Sequence, residues 1–281
     1  MARYHAHLVA GGRSSATVKK DRAALNTFLR WLAEHEHVPT RQVREALAVR
    51  LPRAERADRE LPKAISAAQY ERLIREAKAR FADDPLTGAR NLAIVLVLGD
   101  AGLRCEELAH LQRRDFLPAR KGAQLRALDV RHGKGDRQRR VKLGTDATRA
   151  IVRFDRERAR AFGAPAGDAP LFITLGRRRR DGSYTRVGGR CGQAVLADVL
   201  KRMGAAAELP GELRHPHALR HTCATELLRA GATVADVRAF LGHASVKTTS
   251  IHLASGEDRQ EHVVRLRERG RPTLDEDCEA A

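Results

Sequence analysis

The feature that most restricts the fold is an unbroken apolar run, LAIVLVL, at residues 92–98. A helix that is apolar on every side is buried on every side. The run therefore predicts a central buried helix, which we expect to end at Gly99. A membrane-spanning helix needs about 20 apolar residues, so this run is too short to span. The start, MARYHAHLVAGG, lacks a basic segment followed by an apolar one, and we expect no secretory signal and no membrane partner.

Composition narrows the class of protein. The chain has 281 residues, of which 42% are hydrophobic, and this predicts a globular protein of roughly two domains. The four cysteines form no C-x-x-C pair, which favours a reducing, cytoplasmic location. Lys and Arg number 53 against 35 Asp and Glu, so the formal net charge is 53 − 35 = +18.

This charge indicates a polyanionic partner, and nucleic acid is the obvious one. Aromatic residues make up only 4% of the chain, too few for a platform that stacks single-stranded bases. Backbone contact to double-stranded DNA is the favoured interpretation. Nonspecific RNA binding is the alternative that charge alone leaves open.

The first 58 residues are predicted to form a small helical domain. Apolar residues recur at helical spacing from Ser15 onward, and the opposite face carries basic residues that we expect to contact DNA: Lys19, Lys20 and Arg22. A charged stretch at about 52–63 is predicted to be the interdomain linker.

The second domain is placed at 59–265 and an acidic tail at 266–281. Ser66 and Gln69 predict a capping box that starts its first helix. A hairpin is expected around 133–135 with Lys134 at or near its tip, followed by a helix over 145–162 and a short strand in APLFIT. A basic glycine-rich loop carries four further candidate DNA contacts: Arg177, Arg178, Arg179 and Arg180. From His217 onward the pattern is helical, with breaks at Gly231, Gly242 and Gly256.

Three distant segments carry residues suited to phosphate chemistry. They are GLRCEEL with Arg104 and Glu107, HGKGDRQRRVKL with Lys134, and HPHALRH with His217 and Arg220, followed by His243 in LGH. A guanidinium donates two parallel hydrogen bonds to phosphate oxygens, a lysine can protonate a leaving alkoxide, and a histidine can transfer a proton. Together they predict a cage for one phosphodiester.

The order and spacing of these segments resemble the tyrosine recombinase (phage integrase) family of site-specific DNA recombinases. GLRxxEL resembles the family's first arginine box, and HALRH and LGH resemble its later boxes. The resemblance implies a mainly α catalytic domain with a small β-sheet (α+β), behind a helical, SAM-like core-binding domain. It implies catalytic roles for five residues and no metal or cofactor. These residues are Arg104, Lys134, His217, Arg220 and His243.

The sequence departs from the family pattern in two places. Nine residues after His243, where the family has its nucleophilic tyrosine, stands His252. Imidazole attack would form a different, phosphoramidate link, so we expect the chain's own strand cleavage to be lost. Tyr184 is a remoter substitute nucleophile. The first domain resembles only the later part of the family's core-binding domain, so we expect a shortened one.

The resemblance also implies assembly. Such recombinases act as tetramers that exchange C-terminal helices, and EHVVRLRERG at 261–270 is the candidate helix. Its alternative is a terminal helix that packs on its own domain. The chain is expected to form a homo-tetramer on paired sites or a hetero-assembly with an active recombinase. An inactive DNA-binding relative that occupies recombination sites is the alternative function. A metal site at His215, His217 and His221 is a further alternative, although no glutamate follows His217 to act as a base.

Overall fold

The computed structural model describes residues 2–12, 15–48, 64–79, 84–118, 125–131, 138–185, 187–242 and 253–269. The chain divides into two compact units, Met1–Leu61 and Pro62–Ala281. Within the described ranges, no helix is both long enough and apolar enough to cross a membrane. The domain limits expected at 58 and 265 stay predictions.

The first unit contains three helices. They are α1 (Ala2–Ala10), α2 (Ser15–Glu34) and α3 (Thr40–Ala48). Val18 and Val43 are its buried apolar side chains among the described residues, and Phe28 and Trp31 remain largely exposed with stacked rings. The helix predicted from Ser15 is confirmed.

The second unit is built around one buried helix. After α4 (Ala67–Ala79), helix α5 (Pro85–Ala101) carries the apolar run, and its residues from 88 to 101 are all buried. Asp84 caps α5 by accepting a hydrogen bond from the Thr87 N–H at 3.1 Å. The capping box before α4 is confirmed, because the Ser66 N–H donates to Gln69 and the Gln69 N–H donates to Ser66.

The end predicted for α5 at Gly99 is wrong. The helix continues to Ala101 and ends at Gly102, which is left-handed with φ 55°. Gly99 instead allows the Tyr70 side chain to pack against α5, since a Cβ at residue 99 would lie 2.2 Å from the Tyr70 hydroxyl oxygen. The glycine that breaks the helix is thus the one with positive φ, three residues later.

Two small antiparallel sheets flank the helices. After α6 (Cys105–His110), strands β1 (Phe116–Leu117), β2 (Ala127–Val130) and β3 (Arg139–Lys142) form the first, in that order. Leu128 lies opposite Val141, so β2 and β3 form the two strands of the expected hairpin. Its turn lies outside the described residues. Helix α7 (Thr145–Phe162) follows within the predicted limits.

The second sheet was predicted in part. Strand β4 (Ile173–Leu175) was expected, but β5 (Val187–Arg190) pairs with it where a loop was expected. An isolated bridge between Arg178 and Tyr184 extends this pairing, so the basic segment is a hairpin. Helix α8 (Gln193–Ala206) was not predicted.

The last described helices are α9 (Pro216–Arg229), α10 (Val234–Leu241) and α11 (Leu253–Arg269). The break expected at Gly256 is wrong, because this residue lies inside α11. The fold class, mainly α with small sheets, is confirmed.

Helix α11 packs on its own domain through buried charges as well as apolar side chains. Val263 and Val264 are buried. Arg267 forms an ion pair with Asp100 at 3.1 Å, and both side chains are almost completely buried. Lys142 of β3 lies 3.4 Å from Glu261 of the helix. These contacts lie within one domain, and exchange of the helix between chains stays a prediction.

Candidate phosphate-binding site

The site forms where two helices end in left-handed glycines. Gly102 ends α5 and Gly242, with φ 69°, ends α10. A Cβ at Gly102 would lie 2.4 Å from Leu241 Cδ2, so the two helix ends approach too closely for a side chain there. The carbonyls at such ends carry partial negative charge and attract cations.

Two predicted arginines bind these carbonyls. Arg220, buried on α9, donates from Nη1 to the Gly102 oxygen and from Nη2 to the Leu241 oxygen, the latter at 2.8 Å. Arg104, which precedes α6, donates from Nη2 to the Gly242 oxygen at 3.3 Å. The adjacent carbonyls of Leu241 and Gly242 therefore bring the guanidinium groups of Arg104 and Arg220 to one place.

Glu107 fixes the position of Arg104 through two hydrogen bonds. Its Oε2 accepts from the Arg104 backbone N–H and its Oε1 from Arg104 Nη1, both at 2.8 Å. The spacing in GLRCEEL produces this arrangement, because residues three apart lie on neighbouring positions of the first helical turn. Glu107 is 2% exposed.

A third arginine completes the cluster, and sequence reasoning did not find it. Arg139, at the start of β3, donates from Nη1 and Nη2 to the two carboxylate oxygens of Glu107, at 2.7 and 2.8 Å. We call Arg104, Arg139, Arg220 and Glu107 the arginine cluster. The available signal was the alternation of RRVK in the hairpin, which places Arg139 and Val141 on one face of the strand and Arg140 and Lys142 on the other.

The cluster is strongly cationic. Three guanidinium groups and one carboxylate give 3 − 1 = +2. Burial, together with the nearby charge of Arg104, lowers the pKa of Arg220 to about 10, so Arg220 remains charged at neutral pH. Burial acts to raise the pKa of Glu107, but the hydrogen bonds and charge of Arg139, together with Arg104, lower it to about 2.

The histidines of HPHALRH occupy the start of α9. His217 is exposed one turn before Arg220. His215 caps the helix, because its Nδ1 accepts from the Ala218 N–H at 3.2 Å. The rings of His215 and His217 lie edge to face with centroids 6.4 Å apart. Burial, followed by the charges of His217 and Arg220, lowers the pKa of His221.

Three site residues expected from the sequence lie outside the described ranges: Lys134, His243 and His252. Their roles stay predictions. The nearest described residues are Arg131 and Gln138 on either side of Lys134, and Gly242 directly before His243.

Tyr184 is engaged elsewhere. Its hydroxyl donates to Asp84, the residue that caps α5. Burial and this hydrogen bond raise its pKa to about 12, so the phenol stays protonated. A protonated phenol bound to a carboxylate is a poor nucleophile, which argues against Tyr184 as the substitute.

The candidate DNA-contact residues lie at the surface of their own units. Lys19 and Lys20 are exposed on α2, and Arg22 is half-buried. The four arginines from 177 to 180 are exposed on the β4–β5 hairpin, whose turn is closed by a hydrogen bond from the Arg179 N–H to the Ser183 oxygen at 2.7 Å. Their contact with DNA stays a prediction.

Comparison with known proteins finds a family match that lies within the second unit. The model of the phage integrase family matches residues 63–259. The tyrosine recombinase XerC of Agrobacterium fabrum is 32% identical over 216 residues, covering 77% of this chain and 62% of that protein. The tyrosine recombinase XerD of Xanthomonas axonopodis pv. citri is 31% identical over 257 residues, covering 83% of this chain and 77% of that protein. The match thus spans less than two thirds of the Agrobacterium protein.

Solved structures share the fold. The XerH site-specific recombinase bound to palindromic difH substrate aligns with a TM-score of 0.61 and 22% identity, covering 92% of this chain and 65% of that one. A lambda integrase dimer bound to a core site aligns with a TM-score of 0.53 and 14% identity, covering 98% and 81%. The family match over most of the chain and the two recombinase relatives above 30% identity agree with the shared fold, and the chain belongs to the phage integrase family of tyrosine recombinases.

Proposed function

We propose that the protein binds duplex DNA and holds one backbone phosphate in the arginine cluster, without itself cleaving the strand. The observation that carries this proposal is the convergence of Arg104 and Arg220 on adjacent carbonyls. These two arginines come from separate segments of the chain. Together with Arg139 and Glu107 they form the arginine cluster, whose net charge is +2. Solved relatives in the same fold are bound to DNA substrates.

The geometry suits a phosphodiester. Each terminal guanidinium nitrogen carries two hydrogens, so Arg104 and Arg220 can bind a backbone carbonyl and still donate to phosphate oxygens. A phosphodiester carries one negative charge and gains a second in the pentacoordinate state. The cluster's charge of +2 matches that state. We assign proton transfer to Lys134, His217 and His243 on the strength of the family pattern.

The missing step is nucleophilic attack. In a tyrosine recombinase the phenolate oxygen attacks phosphorus, the bond from phosphorus to the 5′ oxygen breaks, and that oxygen takes a proton. Position 252 holds histidine, and Tyr184 is bound to Asp84. We therefore expect the protein to bind the phosphate without forming a phosphotyrosyl link.

A trapping experiment tests this function. The full chain first selects its site from a pool of random duplex DNA, and the selected duplex is then nicked beside the bound phosphate so that a cleaved end diffuses away. We expect the native chain to bind without covalent adduct and His252→Tyr to accumulate one. His252→Phe is the matched control and should bind without adduct.

Two results would contradict the proposal. A covalent adduct of the native chain that disappears in His252→Phe would show that the histidine attacks phosphorus. Failure of a folded, DNA-bound His252→Tyr variant to cleave would count against the cluster as a catalytic phosphate site.

We further infer that such a protein occupies recombination sites, as a homo-tetramer or beside an active relative. The retained arginine cluster together with His252 favours this second role, because it permits binding without strand exchange. Mixing the chain with an active recombinase on its own site should reduce that enzyme's yield of recombinant DNA. An unchanged yield at saturating chain would contradict site occupation.

A further inference from the structure

We propose that Arg139 is a positioning residue of the phosphate site. Arg139 orients the Glu107 carboxylate and neutralises its negative charge, so that the positive charges of Arg104 and Arg220 act on the bound anion. The inference rests on the proposed function, because it concerns the same site. Arg139 is given no direct contact with phosphate in this role.

The Glu107 carboxylate is shared by two arginines. Each oxygen of Glu107 accepts two hydrogen bonds, one from Arg104 and one from Arg139. Arg139 supplies both terminal nitrogens in the parallel, bidentate geometry that fixes a carboxylate in plane as well as in position. Arg104 receives its orientation from Glu107, so the position of Arg104 depends on Arg139 through this shared group.

Arg139 also sets the net charge of the arginine cluster. With Arg139 present the cluster carries 3 − 1 = +2, and without it the same groups carry 2 − 1 = +1. A buried carboxylate without its main partner draws Arg104 and Arg220 toward itself and opposes the approach of an anion. Removing the Glu107 charge as well returns the cluster to +2.

The Arg139 side chain also contacts the end of helix α10. A Cβ placed on Gly242 would lie 3.0 Å from Arg139 Cδ and Nε, so the Arg139 side chain lies against the end of α10. It thereby touches both the Glu107 carboxylate on α6 and the residue that precedes His243. Arg139 also lies five residues after Lys134 in the same hairpin sequence. One side chain thus connects the hairpin, the first arginine box and the LGH segment.

The neighbouring arginine provides a matched control. Arg140 follows Arg139 in β3 and points to the opposite face, where its Nε donates to Asp129 on β2 at 2.7 Å. Arg140→Gln removes the same charge from the same strand and leaves Glu107 paired. A general effect of charge or strand stability should appear in both variants.

The test measures the affinity of the full chain for inorganic phosphate by isothermal titration, in variants with unchanged circular dichroism. We expect Arg139→Gln to weaken binding about tenfold, since one unit charge is lost a few ångströms from the anion. Arg140→Gln should stay within about twofold of the native chain. Adding Glu107→Gln to Arg139→Gln should restore affinity to within about threefold, because the charge returns to +2.

The double variant separates neutralisation of the Glu107 charge from mere support of the fold. A structural role predicts that a second substitution in the cluster makes binding worse, so failure of Glu107→Gln to rescue Arg139→Gln would overturn the inference. If Arg139→Gln does not fold, Arg139→Lys takes its place. It keeps the charge and loses the bidentate geometry, and it should bind phosphate more weakly than the native chain.

Failure of the proposed function is recognised separately. Arg104→Ala and Arg220→Ala should each weaken phosphate binding. If neither does, the cluster is not the phosphate site, and both the function and the role of Arg139 are wrong. If both weaken binding while Arg139→Gln does not, the function stands and only the inference fails.

Discussion

Glu107 is the buried acid that Arg104 and Arg139 share. It is almost completely buried, yet its carboxylate remains charged, because four donors from two arginines surround it. A buried charge is stable only when paired and fully hydrogen-bonded. The acid in GLRCEEL is therefore part of the phosphate site, although it repels phosphate.

The depressed pKa of Glu107 predicts a specific acid sensitivity. The pKa falls from 4.5 to about 2 on folding, so its stabilisation is present in full above pH 4.5 and is lost as pH falls toward 2. The contribution at neutral pH is about 3 kcal/mol. Urea unfolding of Glu107→Gln should show a flatter acid limb than the native chain, while an equally steep limb would contradict the assigned pairing.

Part of this site was predictable at the level of single residues. Arg104, Glu107, His217 and Arg220 stand at short helical spacings, and local geometry places them. The pairing of Arg139 with Glu107 joins residues 32 apart in the chain. A nonlocal contact of this kind depends on how the hairpin packs, which no spacing rule encodes.

At the level of elements, the sequence alone does not specify which glycines end a helix. Helix α7 was predicted to its limits, because it has an apolar stripe and a glycine at each end. In α5 and α11, however, Gly99 and Gly256 continue the helix. A glycine in the sequence indicates either a left-handed turn or a close approach, and only tertiary packing decides between them.

Gly102 combines both requirements, which predicts an unusually costly substitution. In Gly102→Ala the left-handed φ costs about 1–2 kcal/mol, and the new Cβ also collides with Leu241. Gly231→Ala is the control, since its φ is 95° and nothing lies within 4 Å of a Cβ there. Gly102→Ala should lower the free energy of unfolding further and should also weaken phosphate binding, because the Gly102 carbonyl holds Arg220. Equal costs at the two positions would contradict the close approach.

Helix α11 provides a second prediction for an element. Arg267 is buried against Asp100, and removing one partner of a buried pair costs about 3–5 kcal/mol. Arg265 lies on the same helix and pairs with Glu261 at 2.6 Å, but it is 42% exposed, so its loss costs about 0.5 kcal/mol or less. Thermal unfolding of Arg267→Ala and Arg265→Ala should show this difference. Similar unfolding temperatures would mean that α11 does not pack on its own domain in solution.

At the scale of the whole molecule, the net charge of +18 predicts a polyanionic partner but does not locate it. Many of the arginines are neutralised by surface ion pairs, such as Arg160 with Glu157 and Arg202 with Asp198. The arginine cluster and the exposed hairpin from 177 to 180 concentrate positive charge instead. Composition therefore predicts the class of ligand, and only the fold shows which cations can act together.

The salt dependence of DNA binding tests where that charge acts. Each phosphate neutralised on duplex DNA contributes about −0.9 to the slope of log affinity against log salt concentration. The double variant Arg179→Ala/Arg180→Ala should make the slope less negative by about 1–2, since these exposed residues are assigned to the phosphate backbone. Arg160→Ala/Arg202→Ala removes the same formal charge from paired positions and should leave the slope unchanged. If both double variants shift the slope equally, binding follows net charge alone, and the hairpin has no particular place on the DNA.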